Sequence, residues 1–223
     1  MKAIIVALVV LPSLLLAETN VAQTRLDQAA NVFSAVMATP DRGIPQSLLN
    51  KAYCVIVVPD LKTMAFLLGG EYGKGYMSCR NKSGSGWSAP AAIRIEGVSA
   101  GLQVGGSSTD LIMLVMNDRG MDKVLSSRFT IGAEGSIAAG PVGRTVTAQT
   151  DAQLRADILS WSRSQGLFAG VALAGATLRE NLEDNAFLYG KSLSNREIVT
   201  KKITAPSAAA KLMALLEEYS TRK

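Results

Sequence analysis

The stretch YCVIVV, residues 53–58, marks the point at which the chain changes from a helical pattern to a strand pattern. It is short, apolar and rich in β-branched residues, which is typical of a strand buried on both faces. LIMLVM, residues 111–116, has the same character. Further strand-like segments lie at about 65–70, 73–80, 90–98, 100–106, 128–139, 143–148, 156–164 and 167–178. Strands this frequent, joined by short turns, predict a mainly antiparallel sheet that is closed as a barrel or folded as a sandwich.

Amphipathic helices are predicted at both ends of this strand region. Residues 24–38 place Leu26, Phe33 and Met37 on one face. Residues 44–52 predict a short second helix, Ser194 to Glu197 form a capping-box pattern, and the last helix opens at Pro206. The fold class is therefore α+β, in one domain over 18–223. Its strand-rich core covers about 45–191 and its C-terminal helices cover 195–222.

Glycine is concentrated in the strands, since 18 of the 20 glycines lie between 69 and 175. FTIGAEGSIAAGPVGR (129–144) and GLFAGVALAGA (166–176) each alternate a filled face with a nearly bare one. We expect the bare faces to form a floor that a helix approaches closely, with a flat apolar ligand as the alternative. GGEYGKG (69–75) lacks the spacing of a phosphate loop and predicts a hairpin with Lys74 at or near its tip.

The N-terminus has the pattern of a cleaved signal peptide. Lys2 precedes an apolar run of 13 residues, 4–16, which is shorter than the roughly 20 residues needed to span a bilayer. Cleavage is predicted after Ala17, with Ala22 as the fallback, and an uncleaved anchor or buried helix is the alternative. No cysteine follows for lipid attachment. We expect an exported protein, secreted or in a bacterial periplasm. The formal net charge of +5 becomes +4 once Lys2 is removed.

The two cysteines, Cys54 and Cys79, both lie in strand-like segments. In an oxidising compartment they would form a disulfide if their strands are adjacent. The alternative is two small buried apolar side chains. The sequence leaves the two interpretations open.

The composition argues against common kinds of enzyme. The chain has no histidine, which excludes Ser-His-Asp triads and histidine-ligated metals. GVSAG (97–101) matches the hydrolase elbow, but it is flanked by strands rather than by a strand and a helix. No spacing of carboxylates selects a catalytic pair, and Glu96 shares a strand face with Arg94. We expect no catalytic residue, cofactor, metal or nucleic acid, and we keep a carboxylate-pair enzyme as a distant alternative.

Several motifs in order resemble the SYLF domain family. They are VPDL, AFLLGGEYGKGYMSCR, GWSAPAAIRIEGVSAGLQVGGSSTDLIMLVMN, FTIGAEGSIAAGPVGR, SRSQGLFAGVALAGATL and DNAFLYG, within about residues 45–191. The signal-peptide pattern resembles the secreted bacterial members most.

The resemblance implies a non-enzymatic lipid-binding module, because eukaryotic members bind phosphoinositide membranes. Fungal members also bind actin, a partner we do not expect for an exported protein. Lys74, Arg80 and Arg144 are the candidates for lipid head-group binding. Leu26, Phe33 and Met37 are the candidates for a membrane-binding helix. An envelope protein partner without lipid is the alternative.

Overall fold

The computed structural model describes residues 11–39, 43–66, 68–81, 86–99, 105–141, 155–164, 167–170 and 175–220. The helices are α1 (Leu11–Met37), α2 (Gln46–Lys51), α3 (Asp118–Val124), α4 (Leu182–Tyr189), α5 (Asn195–Thr200) and α6 (Ala210–Tyr219). The strands are β1 (Cys54–Phe66), β2 (Leu68–Cys79), β3 (Ala91–Ser99), β4 (Gly105–Val115), β5 (Arg128–Thr130), β6 (Ile137–Ala139), β7 (Ile158–Ser164), β8 (Leu167–Gly170) and β9 (Thr177–Glu180).

All of these strands belong to one sheet, ordered β5-β9-β3-β2-β1-β4-β7-β6, with β8 also pairing to β7. Every pairing is antiparallel except β6 with β7. β5 and β6 lie at opposite ends of this order although only residues 131–136 separate them along the chain. The sheet is therefore curled into a half-barrel, which confirms the predicted α+β class with a mainly antiparallel sheet.

The sheet separates two apolar cores. Paired residues of neighbouring strands share a face, so one face carries Val57, Tyr76 and Ile112 and packs against α1, α2 and α6. We call this the α1 face. The opposite face carries Ile56, Met77 and other apolar residues, and it packs against α3 and α5.

The N-terminal helix is longer than predicted and is docked on the sheet. Residues 24–38 match the C-terminal part of α1, which begins at Leu11. Leu26 and Phe33 are fully buried in the core of the α1 face, and Met37 is partly buried against it. The three candidates for membrane binding are thus core residues here, because their apolar stripe is what the sheet buries.

The predicted strand over 128–139 is two short strands separated by a turn. Gly132 has φ +84°, a left-handed conformation that breaks the alternation. A Cβ on Gly140 would lie 2.0 Å from the Trp161 ring, and one on Gly135 would lie 2.9 Å from the Phe129 ring. Aromatic side chains, rather than a helix or a ligand, occupy the space beside these glycines. The predicted floor of small side chains is therefore wrong for the stretch that begins at Phe129, because the prediction assumed that this stretch is one continuous strand. The predicted strand at 143–148 lies outside the described residues.

GGEYGKG lies inside β2 rather than at a hairpin tip. β1 has an irregular register against β2 between Val57 and Lys62. Gly73 and Gly75 lie against this bulge, since a Cβ on Gly75 would be 2.2 Å from the Val57 carbonyl oxygen. The glycines therefore serve close packing of two backbones, and the hairpin turn falls between Phe66 and Leu68.

The C-terminal helices follow their sequence signals. The Ser194–Glu197 capping box is formed, and α6 buries Leu212 and Leu216. α4 was not predicted, although Asn181 caps its start and Gly190, with φ +68°, ends it. These two residues are the helix-boundary signals that sequence reasoning missed.

Cys54 and Cys79 are directly opposite each other on β1 and β2 and form a disulfide. The Cys79 backbone bonds to Ser88 rather than to Cys54. The two cysteines are thus a non-hydrogen-bonded pair, in which opposed side chains approach most closely.

Candidate anion-binding face

Four basic side chains lie in one row across the α1 face. Lys74 on β2 pairs with Arg94 on β3, Arg94 pairs with Arg179 on β9, and Arg179 pairs with Arg128 on β5. We call these four residues the cationic row. Because adjacent strands are about 4.8 Å apart, the row extends about 15 Å across the sheet.

This arrangement costs stability. Like charges directly opposite one another on neighbouring strands repel and destabilise a sheet. Neutral side chains in the same register would avoid that repulsion. Within the sheet, this register of like charges is unfavourable unless neighbouring groups offset it.

Two carboxylates neutralise the row only in part. Glu96 lies between two of its members, with Oε1 2.7 Å from Arg94 Nε and Oε2 3.5 Å from Arg179 Nε. The Arg94, Arg179 and Glu96 side chains are 35%, 36% and 39% exposed, so all three reach solvent. Arg128 is exposed and has no ion-pair partner among the residues that the structure describes.

The other carboxylate, Asp184 on α4, links the row to α1. Its Oδ1 accepts a hydrogen bond from Lys74 Nζ at 3.2 Å, and its Oδ2 accepts one from Arg25 Nη1 at 2.5 Å. Beside it, the Tyr76 hydroxyl donates to the Ala22 carbonyl at 2.7 Å. Burial raises the pKa of the Tyr76 phenol, which keeps it a neutral donor. Four basic side chains thus share two carboxylates, and Arg128, at the opposite end of the row from Lys74, contacts neither of them.

The predicted head-group residues have different fates. Lys74 lies in the cationic row, but its ammonium is paired with Asp184 and its side chain is only 24% exposed. Arg80 is buried, with its guanidinium carbon 4.1 Å from the centre of the Trp87 ring. Arg80 therefore packs in the molecule rather than presenting a free charge. Arg144 lies outside the described residues.

Sequence reasoning missed Arg179 and did not select Arg94 or Arg128 as head-group residues. The three lie far apart along the chain, and only the β3–β9–β5 register brings them together. The one local signal was the shared face of Arg94 and Glu96, and that predicted pairing is confirmed.

Beyond the row, the α1 face carries exposed apolar and basic side chains near the β1–β2 turn. Tyr72 is 48% exposed and Met64 is 72% exposed. Lys62 lies beside Tyr72 in register, and its side chain is 65% exposed. A charged row that borders exposed apolar residues suits a surface with anionic and apolar layers.

Other kinds of site find less support in the described part of the chain. There, no three His, Cys, Asp or Glu side chains come close enough together to hold a metal ion. None of the described helices is long and apolar enough to cross a membrane.

A family model described as "Ysc84: Las17-binding protein actin regulator" matches residues 96–219, more than half of the chain. The chain belongs to the Ysc84 (SYLF) family. The match begins at Glu96 and covers two of the four residues of the cationic row, Arg128 and Arg179.

Full-length relatives agree with this family assignment. The chain is similar to Protein YSC84 of Saccharomyces cerevisiae, at 33% identity over 180 residues that cover 79% of this chain and 38% of that protein. LAS seventeen-binding protein 3 of the same organism is 35% identical over 181 residues, covering 79% and 39%. SH3 domain-containing YSC84-like protein 1 of Bos taurus is 30% identical over 184 residues, covering 82% and 53%.

The chain spans between about a third and a half of the length of the relatives it matches. The family description names an actin regulator rather than an enzyme, which agrees with the expectation of a binding domain. The same description gives no support to the expectation that actin is not a partner.

Proposed function

We propose that this SYLF domain binds anionic phospholipid surfaces, as a binding module rather than as an enzyme. The observation that carries the proposal is the cationic row, Lys74–Arg94–Arg179–Arg128, on one face of the sheet. Guanidinium groups bind phosphate oxygens with two parallel hydrogen bonds, so three arginines in register suit a layer of phosphate head groups.

The three arginines of the cationic row are accessible to a membrane surface. Arg94 and Arg179 are solvent-accessible, and Arg128 adds an exposed charge at the edge of the sheet. An anionic membrane surface attracts basic residues by roughly 1 kcal/mol each near the surface, and salt weakens this attraction. A partly neutralised row is therefore expected to bind reversibly rather than permanently.

The test is sedimentation with vesicles of phosphatidylcholine alone or mixed with phosphatidylserine, at low and high salt. We expect binding to the anionic vesicles only, and reversal by salt. Arg94→Gln with Arg179→Gln should lose this binding, whereas Lys202→Gln with Lys211→Gln, which removes two exposed lysines away from the row, should keep most of it. Equal binding by the two double variants would overturn the assignment of the row.

A second candidate partner is an acidic protein surface. It is favoured by the family description, which names Las17 binding and actin regulation. Co-sedimentation with actin filaments, using the same two double variants, separates it from the lipid proposal. The protein partner would be favoured if the unmodified chain binds filaments but not vesicles, and if Arg94→Gln with Arg179→Gln loses the filament binding.

We also propose that the chain is exported, as its N-terminal sequence predicts. The Cys54–Cys79 disulfide supports an oxidising compartment. Cleavage after Ala17 would retain the Ala22 carbonyl that accepts from Tyr76, whereas cleavage after Ala22 would remove it. Mass spectrometry of the secreted chain should therefore find Glu18 as its first residue, and an intact leader would contradict export with cleavage.

A further inference from the structure

The end of the sheet at the β1–β2 turn exposes apolar side chains to solvent. The described part of the chain has four exposed large hydrophobic residues, and two of them, Met64 and Tyr72, lie here. Lys62 stands beside Tyr72 in the β1–β2 register. We call Lys62, Met64 and Tyr72 the hairpin tip.

Met64 has a glycine opposite it on each of the two neighbouring strands. Met64 pairs with Gly70 on β2 and with Gly106 on β4. A Cβ on Gly70 would have no neighbour closer than 3.8 Å, and one on Gly106 none closer than 3.9 Å. Close packing therefore does not require glycine at either position, unlike at Gly75. Their effect is to leave Met64 without a paired side chain on either neighbouring strand.

The sequence around this turn is also unlike that of a solvated hairpin. Tight hairpin turns in water favour Asn, Asp and Gly. Here β1 ends at Phe66 and β2 begins at Leu68, both of them apolar. A hairpin end of this composition is suited to an apolar environment.

We propose that the hairpin tip inserts into the interfacial layer of a lipid bilayer while the cationic row holds the head groups. This inference rests on the proposed function and adds the part of the domain that enters the membrane. Tyr72 is two residues from Lys74 on β2 and pairs with Glu96, which is two residues from Arg94. The tip and the row are thus consecutive on one face, about 7 Å apart along the strands.

The order of side chains matches the layers of a bilayer surface. The arginines lie where phosphates would lie, Tyr72 comes next, and Met64 lies furthest along the face. Tyrosine favours the head-group level, and lysine extends its ammonium back toward water. A protein groove would not require this sequence of charged, aromatic and aliphatic residues.

The test places a fluorophore at the tip. Both native cysteines are in the disulfide, so a single new cysteine accepts a polarity-sensitive thiol dye. We expect Met64→Cys labelled in this way to shift its emission to the blue on phosphatidylserine-containing vesicles, and lipid-borne quenchers to reach the dye. Thr204→Cys, an exposed site outside the strands and the hairpin tip, is the control and should show neither change.

Affinity gives a second readout. Met64→Ser should weaken vesicle binding by about tenfold, because one apolar side chain no longer leaves water. Its thermal midpoint should match that of the unmodified chain, since Met64 is 72% exposed. If pelleting is sensitive to salt but the emission of the dye at position 64 does not change, the insertion is overturned and the proposed role of the cationic row stands. Failure of the unmodified chain to pellet at all would overturn the proposed function and the insertion together.

Discussion

The carboxylate of Asp157 joins the start of α3 and the start of β6 to the start of β7. Its side chain is 2% exposed. Its Oδ1 accepts hydrogen bonds from Asn117 and Arg119, and its Oδ2 accepts from the backbone and hydroxyl of Ser136. Burial acts to raise the pKa of this carboxyl, but the donors of Arg119, Asn117 and Ser136 outweigh it, so the pKa is lowered from 3.8.

Asp157→Asn is expected to destabilise the fold by about 1–3 kcal/mol, because a neutral amide replaces the charged acceptor on which the hydrogen bonds of Asn117, Arg119 and Ser136 converge. A lowered pKa contributes stability above the unfolded-state value, and this stability is lost as the pH falls through the folded-state value. Urea unfolding should therefore be measured at neutral pH and below pH 3.8. The difference in unfolding free energy between the variant and the unmodified chain should be smaller in acid. Asp122→Asn, whose side chain is 77% exposed, is the control. A pH-independent difference would contradict this account.

Two glycines of β2 provide a matched pair for the close packing of the sheet. Gly75→Ala would place a Cβ 2.2 Å from the Val57 carbonyl oxygen and 2.8 Å from the Val58 Cα, and backbone atoms cannot move aside easily. We expect a loss of about 3 kcal/mol or more. Gly70→Ala meets nothing within 3.8 Å and should cost less than about 1 kcal/mol. Equal unfolding free energies for the two variants would refute the proposed packing of the β1 bulge.

At the scale of elements, α1 is a structural helix of the core. Phe33 is fully buried and contacts Tyr219 edge to face at 6.2 Å between ring centres. Arg25 joins α1 to α4 through Asp184. Membrane insertion by this helix would therefore require it to leave the sheet, whereas the hairpin tip is exposed in the folded domain.

Alanine substitutions distinguish these two elements. Phe33→Ala should lower the free energy of unfolding by about 3–5 kcal/mol, because it empties a packed site. Met64→Ala should change it by less than about 0.5 kcal/mol. Chemical denaturation measures both. A stability unaffected by Phe33→Ala would mean that α1 is not docked in solution.

The sequence predicted the elements better than the arrangement. The stripe of Leu26 and Phe33, the apolar runs of β1 and β4, and the Ser194 capping box are local patterns, and local physics determines them. The break at Gly132 was missed because small residues alternate equally well in a strand and in a turn.

Non-local pairing explains why the site was predicted only in part. Lys74 was found because its segment stands out in the sequence, but Arg179 is adjacent to Arg94 only through the β3–β9 pairing. Arg80 looked similar to Lys74, and only the structure shows its guanidinium against Trp87. Residue type and spacing do not reveal which charges a sheet will place in one row.

At the scale of the whole molecule, charge is distributed unevenly. The chain has a modest formal net charge of +5, yet the four basic side chains of the cationic row lie on one face of the sheet, where Glu96 and Asp184 pair with three of them. The hairpin tip continues that face. Under the proposed lipid binding, a surface that is basic at one level and apolar at the next would give the domain a defined orientation on a membrane.

The most direct test of this account removes the negative charge from the row. Glu96→Gln frees Arg94 and Arg179 from their shared carboxylate, and Arg94→Gln removes one of the two arginines. We would measure sedimentation on phosphatidylserine-containing vesicles across a range of salt concentrations. The account predicts that Glu96→Gln binds more tightly than the unmodified chain and stays bound to higher salt, while Arg94→Gln binds more weakly. Sedimentation of each variant without vesicles is the control for aggregation, since a misfolded chain exposes apolar surface and pellets by itself. Three indistinguishable salt profiles would contradict the claim that the cationic row binds anionic lipid.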